Sequence, residues 1–455
     1  MPKNIFQVFS SLKNKALQYV LSSRVISLLV QPAIIYLISK KFNSTEQGYF
    51  YTIGSLVTIS IFFELGLGVV LTNYASHLFS TVKWDEGGKI IGDKINVARF
   101  FHFFRKAVYY YLVVFVLYAC CLFLYSYWNF YNKQDFYYSR DLILVIVFSG
   151  LNLLHIPFMS IIEGCGKIKQ VQQIRFLQAI GGQVLICLSL LGNLKMEAIF
   201  LEYFLYFTSF VVWILWTFRS LFFQLLEFKN SDNQAEFNWR KEILPFQFKV
   251  SLSWLAAYFL GYLFIPIAYA YMGPVIAGQL GMTMKLTTYI FNVSIAWVAV
   301  QSPKYAQYLS LGKGKQLNRL VGKTMRDSMY VAISLALILI AGVYIMQILH
   351  FEFSNRVLPL FLFSAIAFTN VINVYNHNIS SYLRAFRTEP MLYLNIVVSL
   401  LILVNNIFSA YSQSIYQMSI GYFLVMLFIS LPFGTYLFNT WRKFKVPNNF
   451  TLLKK

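Results

Sequence analysis

A charged side chain at the centre of a membrane-spanning helix costs about 2.5–3.5 kcal/mol, so a sequence that keeps one there has a use for it. This chain keeps few. Arg24 stands about two helical turns into its first apolar stretch, and Glu64 about two turns from the end of its second. Equal depth on neighbouring helices permits an ion pair, and a carboxylate at that depth can exchange a proton or hold Na+. The alternative is an Arg24 that snorkels to the interface and a Glu64 satisfied by local packing. Lys285 lies near the middle of the eighth stretch, and no other stretch in its half holds an acidic residue. A mid-membrane cation facing a cavity suits an anionic substrate; a lysine bonded to helix carbonyls is the plainer reading. His155, beside Pro157, has the residue type that titrates near neutral pH, or it packs as a hydrogen-bonded ring. Asn370, Asn373 and His377 recur at i, i+3 and i+7, one helical face. Their side chains can bond sugar hydroxyls across a wet cavity or bond neighbouring helices. Asp141, Glu163 and Glu202 stand nearer the ends of stretches and are expected to reach water. This is the chemistry of charge compensation and coupling. No phosphate-cradling loop ending in Gly-Lys-Ser/Thr, no metal-ligand cluster and no nucleophile motif accompanies it. We therefore expect a protein that is not an enzyme and carries no cofactor or metal.

The elements that position these residues are apolar helices. Of the 455 residues 58% are hydrophobic and only 12% charged, too few charges for a soluble domain. Twelve stretches have about the length that crosses a bilayer: 17–38, 49–72, 107–128, 141–162, 174–192, 197–218, 250–271, 277–300, 328–350, 357–378, 391–411 and 415–440. The odd-numbered gaps between them hold six of the 38 Lys and Arg; most of the rest lie in the amino-terminal segment, the even-numbered gaps and the carboxy-terminal segment. Positive loops stay cytoplasmic, which places both termini inside. The net charge of +21 thus faces an anionic leaflet and calls for membrane lipids as partners rather than nucleic acid. Lys3, Lys13 and Lys15 precede an apolar run with no small-residue cleavage site, as for a first span rather than a removed signal. Cys120, Cys121, Cys165 and Cys187 show neither metal nor disulfide spacing and read as small packing residues.

The chain also contains a faint copy of itself. Glu46-Gln47-Gly48-Tyr49 before span two faces Ile276-Ala277-Gly278-Gln279 before span eight. Asn73-Tyr74-Ala75 faces Lys304-Tyr305-Ala306, Gln31-Pro32 faces Ile265-Pro266, and Ile162-Glu163-Gly164 faces Leu383-Arg384-Ala385. Copies that start six spans apart enter the membrane in the same orientation and are related by an axis along its normal. The expected organisation is an amino-terminal six-helix bundle at 1–225, a charged cytoplasmic linker at 226–249 and a carboxy-terminal bundle at 250–455.

The six-plus-six arrangement, the Gly48-Tyr49 pair entering span two and Glu64-Leu65-Gly66-Leu67-Gly68 near its inner end resemble the polysaccharide transporters of the multidrug/oligosaccharidyl-lipid/polysaccharide (MOP) superfamily. Within it they resemble the O-antigen flippases (Wzx-type). The resemblance covers nearly the whole chain on short motifs. It implies an all-α integral membrane protein with twelve transmembrane helices in two six-helix bundles related by a parallel pseudo-two-fold, the MATE-like fold. It further implies movement of an undecaprenyl-pyrophosphate-linked oligosaccharide across the bacterial inner membrane by alternating access. Ion-coupled antiport of H+ or Na+ would drive it, with Glu64 the first candidate for the coupling site, His155 the second, and other surface-glycan assembly proteins as partners. Lys285, Arg24, Asn370, Asn373 and His377 are then the substrate-binding candidates. Two rivals remain. A membrane glycan polymerase or ligase resembles its kind in carrying a large extracytoplasmic loop, and the longest outer gap here, 129–140, is short. A drug or cation exporter on the same fold commonly needs cavity carboxylates, where this chain offers Lys285 and Arg24.

The charge pattern is tested by reporter fusions. Alkaline phosphatase fused after Tyr131 is expected to be active and after Gly312 inactive; the reverse pattern would overturn the orientation.

Overall fold

The hydrocarbon core offers no partner for a bare backbone N–H or C=O, so an apolar chain crossing it closes its hydrogen bonds locally, as helix. The computed structural model describes residues 15–128, 139–228, 237–245, 247–248, 251, 261, 263–386 and 390–444. Over these residues the protein is an all-α membrane protein with one small β-hairpin. Eleven of the twelve predicted spans fall on described helices. Most of span seven, 250–271, lies outside the described residues. Seven described helices are each long and apolar enough to cross a bilayer; an eighth is added if the two pieces of span two, bent by 42°, count as one.

Two compact units divide the chain: residues 1–42 with 56–255, and residues 43–55 with 256–455. In the first, α1 (Lys15–Lys41) packs along the later helix of span five, and span two follows in three pieces, α2 (Ser44–Val57), α3 (Ser60–Glu64) and α4 (Leu67–Phe79). All of α2 but its last two residues clusters with the second unit. A hairpin of β1 (Val82–Trp84) and β2 (Ile90–Gly92) comes next, in the register Val82↔Gly92, closed through Gly88 at φ 74°. Then come α5 (Lys94–Ser126), α6 (Ser139–Leu153), α7 (His155–Gly164), α8 (Ile168–Leu191), α9 (Glu197–Thr217), α10 (Arg219–Glu227) and α11 (Trp239–Glu242). Helices α4 and α7 cross so closely that a Cβ on Gly164 would lie 2.4 Å from the Thr72 carbonyl oxygen. Only glycine fits there.

The second unit holds α12 (Phe264–Met272), α13 (Pro274–Ser310), α14 (Gly314–Ile348), α15 (Leu360–Arg384), α16 (Met391–Tyr411), α17 (Ile415–Val425) and α18 (Leu431–Phe444). Helices α13, α14 and α15 pack on one another around Ile290, Ala332, Ala336, Ala367, Val371 and Val374. Lipid is as apolar as any of these side chains, so helix association here relies on close van der Waals approach, which small residues allow. Several helices run past their predicted spans: α5 starts at Lys94 and α14 at Gly314. Hydropathy measures the apolar slab, whereas the backbone continues its helix into water.

The segment after α10 is clasped to the first unit. Phe237 is fully buried, with its ring 5.4 Å from both Tyr74 and Phe103. Trp239 stacks on Tyr110 at 5.5 Å. The Glu242 carboxylate accepts hydrogen bonds from the Tyr74 hydroxyl, from Arg99 Nη2 at 2.7 Å and from the Asn238 backbone N–H at 3.1 Å. Partial burial pushes the Glu242 pKa up, but these three bonds outweigh it and hold the group below its ordinary value of 4.5. A carboxyl depressed by folding stabilises the clasp above its unfolded pKa, and that contribution is lost as the pH falls through the lowered value. Limited proteolysis within 237–242 is therefore expected to speed up as the pH falls below the ordinary glutamate value of 4.5. Glu242→Gln is expected to speed it a few-fold already at pH 7 and to abolish this pH dependence.

Candidate functional site

Span two breaks where the motif Glu64-Leu65-Gly66-Leu67-Gly68 stands. Leu65 and Gly66 take left-handed conformations, φ 47° and 70°, and are the two residues that separate α3 from α4. The left-handed region is unfavourable for leucine, so the packing around the break must hold it there. Glu64 is the last residue of α3, and its carboxylate turns back over the start of α4. A Cβ on Gly68 would lie 2.9 Å from Glu64 Oε1 and 3.1 Å from Ser160 Oγ. The glycine thus opens the backbone to the carboxylate, which the Gly68 N–H faces. The buried Tyr111 phenol of α5 also faces the carboxylate, outside full hydrogen-bond geometry.

Span four breaks beside span two. Leu154 interrupts the run from α6 to α7, two residues after Asn152 and three before Pro157, whose missing N–H leaves a carbonyl without its helical partner. His155 opens α7, its ring centroid 5.7 Å from Phe210 and its Nδ1 without a hydrogen-bond partner. Among the described residues, Arg175 of α8 supplies positive charge to both Glu64 and His155. Arg175 Nη1 pairs with Glu163 Oε2 at 3.0 Å, and Gln172 Nε2 donates to Glu163 Oε1 at 3.0 Å. Breaks in two adjacent helices therefore bring a carboxylate, an imidazole and an ion pair into one polar zone of the first unit. Arg24 lies in α1, which packs along α8, the helix that carries Arg175. The Arg24 side chain is outside the described residues. Ser27, one turn further on, accepts from Gln183 of α8 at 2.6 Å.

Two residues expected to reach water are partly exposed and also have protein partners. Glu163 is held by Arg175 and Gln172. Glu202 accepts from the Tyr206 hydroxyl at 2.6 Å. Arg175 and Tyr111 escaped the sequence reading. Arg175 stands at the edge of span five, where a cation reads as a loop residue, although Gln172, Arg175 and Gln183 recur on one side of the helix.

In the second unit Lys285 is exposed on α13, and Thr288 and Asn292 share its face. No large apolar side chain of α13 between 276 and 296 is exposed. Helices α14 and α16, by contrast, expose Leu337, Ile338, Ile345, Val404 and Phe408. The α15 residues diverge. Asn370 donates to the Ile366 carbonyl at 3.1 Å, and Asn373 reaches the Tyr422 hydroxyl at 3.4 Å. His377 meets the Phe291 ring of α13 edge-on at 5.5 Å. Asn376 and Asn378 bond Ser430 and Ser328 at 2.8 and 2.9 Å, so part of this polar face binds neighbouring helices. No group of His, Cys, Asp or Glu that could hold a metal ion occurs among the described residues.

No family model matches the chain, and no curated protein matches its sequence. Its fold does match solved structures. The eukaryotic MATE transporter AtDTX14 superimposes with TM-score 0.54 at 12% identity, over 94% of this chain and 96% of that one. The lipid II flippase MurJ, in an inward closed conformation, gives 0.52 at 11%, over 91% and 87%. A MOP superfamily transporter from Pyrococcus furiosus gives 0.50 at 13%, over 94% and 96%. The chain has the MATE-like fold of these transporters.

The polar zone separates structural from coupling roles. Arg175→Ala strips the counter-charge from Glu163 and Glu64 and is expected to destabilise the protein by about 1 kcal/mol, since the pair is partly exposed. Its thermal midpoint in detergent should fall accordingly. Glu64→Gln keeps the hydrogen bonding without the charge and should unfold within a degree or two of the wild type. A large loss of stability in Glu64→Gln would make Glu64 a packing residue.

Proposed function

We propose that this chain is a flippase that carries an undecaprenyl-pyrophosphate-linked oligosaccharide, an O-antigen or similar surface-glycan unit, across the bacterial inner membrane in exchange for H+ or Na+. The observation that carries the reading is the α13 face. A helix face turned to lipid is apolar, whereas this one presents Lys285, Thr288 and Asn292 with no large apolar neighbour. Such a face belongs beside water, and a cation there can meet an anion. A lipid pyrophosphate needs that help, because its charge cannot enter a low-dielectric layer bare.

In this mechanism two six-helix bundles, 1–225 and 250–455, joined by the linker 226–249, alternate access with both termini cytoplasmic. Lys285 attracts the pyrophosphate as a flexible point charge. The free amide oxygen of Asn370 and the exposed Asn292 amide offer hydrogen bonds to sugar hydroxyls, and Arg24 adds a second cation. Glu64 takes and releases the coupling ion, Arg175 supplying the charge against which it does so, with His155 in the same zone. The resemblance of fold to the lipid II flippase MurJ is consistent with a lipid-linked cargo. A MATE transporter shares the fold, but a lysine on this exposed polar face favours an anion over a cationic drug.

Complementation of a strain lacking its surface-glycan flippase tests this reading, at matched membrane levels of each variant. Lys285→Arg should keep partial function. Lys285→Ala should lose at least about tenfold, equivalent to ~1.4 kcal/mol of interaction with the anion. Lys285→Glu should be inactive through repulsion. Wild-type complementation by well-inserted Lys285→Glu would remove the electrostatic role.

A further inference from the structure

Span two is divided between the compact units: residues 43–55 cluster with the second unit, and its remainder with the first. What fastens those residues is specific. Gly48 and Gly278, matched by the internal repeat, lie backbone against backbone. A Cβ on Gly278 would stand 2.8 Å from Gly48 N and 3.0 Å from Gly48 Cα. A Cβ on Gly48 would stand 1.9 Å from the Pro274 carbonyl oxygen, and one on Gly281 would stand 2.6 Å from Tyr51 Cβ. Three glycines thus let α2 and α13 touch.

Glutamines close the seam. Gln47 is 1% exposed, and its Nε2 donates to the Gly278 and Arg356 carbonyls, each at 2.9 Å. Gln279, from the other repeat, donates to the preceding carbonyl, Asn355, at 3.0 Å. One short turn, Glu352–Arg356, therefore takes an amide from each half of the chain. Arg356 Nη1 also reaches Ser44 Oγ at 3.4 Å. The start of α2 is itself fixed by a reciprocal cap, Asn43 N to Glu46 Oε2 at 2.9 Å and Glu46 N to Asn43 Oδ1 at 2.8 Å.

This set of contacts is firm but releasable. It is built from glycine backbones and a few amide bonds, beside the buried rings of Tyr49 and Tyr269, which meet at 5.7 Å. It lies at the cation-poor end of span two, where water can replace the bonds that break. Further along the span come two interruptions, at Thr58–Ile59 and at Leu65–Gly66, that can absorb a change of direction.

We propose that Gln47 and the Gly48–Gly278 seam are a latch. Closed, it holds the outer half of span two on the carboxy-terminal unit. Released, it lets that half-helix swing away about the breaks at Thr58–Ile59 and Leu65–Gly66. The latch goes beyond the transport reading and does not need it, because its position is read without any substrate.

The test places spin labels at Thr45 and Glu352, both exposed, in a chain whose four cysteines are replaced, in lipid nanodiscs. Gln47 and its seam intact should give one dominant short distance. Gln47→Leu, which keeps the bulk and removes both donors, should shift a resolved share of molecules to longer distances. Gly278→Ala should do the same by wedging the seam. Folded Gln47→Leu with the unaltered distance distribution would overturn the latch, whether or not Gly278→Ala folds. Glycan transport is scored separately on the same variants. The distance shift in a chain that moves no glycan removes the transport reading and keeps the latch. Unchanged distances in a chain that transports remove the latch alone.

Discussion

Inside a bilayer no backbone group and no charge can be left bare, and the architecture of this protein follows from that constraint. Where the chain stays helical the backbone satisfies itself. Where it does not, at Leu65–Gly66 and Leu154, the interrupted helices lie against each other and polar side chains gather. Glu64 lies against Gly68, and Glu163 is answered by Arg175 and Gln172. The zone is polar because the helices are broken there, and the breaks are tolerable because the zone is polar.

The second dependence is on backbone proximity. Without a hydrophobic force between helices in lipid, close approach does the joining, and glycine permits the closest. Gly164 admits the Thr72 carbonyl, Gly68 admits the Glu64 carboxylate, and Gly48 admits Gly278. Each lies next to a residue of the polar zone or the seam: Glu163, the motif of Glu64, and Gln47. Glycine positions here are where one helix constrains what another can do.

The spans were legible because about twenty apolar residues in a row have one common use. The Glu64 motif was legible as a motif, but not as a helix break. A leucine at φ 47° runs against its own propensity and is imposed by packing that no local pattern encodes. Arg175 was hidden for a related reason: it sits at a span edge, and its partners Glu163 and Glu64 are on other helices. The face of Asn370, Asn373 and His377 was correctly placed on one helix, yet its contacts point to different neighbours, because periodicity gives direction without distance. The hairpin at Val82–Gly92 went unread although Gly87-Gly88 marked its turn. The match of Gly48 with Gly278 appeared in sequence as a repeat and in the fold as a contact, which the offset alone could not foretell.

Fold similarity at 11–13% identity establishes the architecture and leaves the cargo to the residues. Those residues offer a cation on a water-seeking face of α13 and a carboxylate beside an ion pair in the first unit. Together they support the proposed exchange of an anionic lipid-linked glycan against an ion. The most direct measurement is transbilayer movement of a fluorescent undecaprenyl-pyrophosphate-linked oligosaccharide in proteoliposomes, followed by dithionite quenching under an imposed proton or sodium gradient. Movement well above protein-free vesicles, accelerated by one of the two gradients, is the expected result. Movement no faster than in protein-free vesicles under either gradient would refute ion-coupled flipping by this chain.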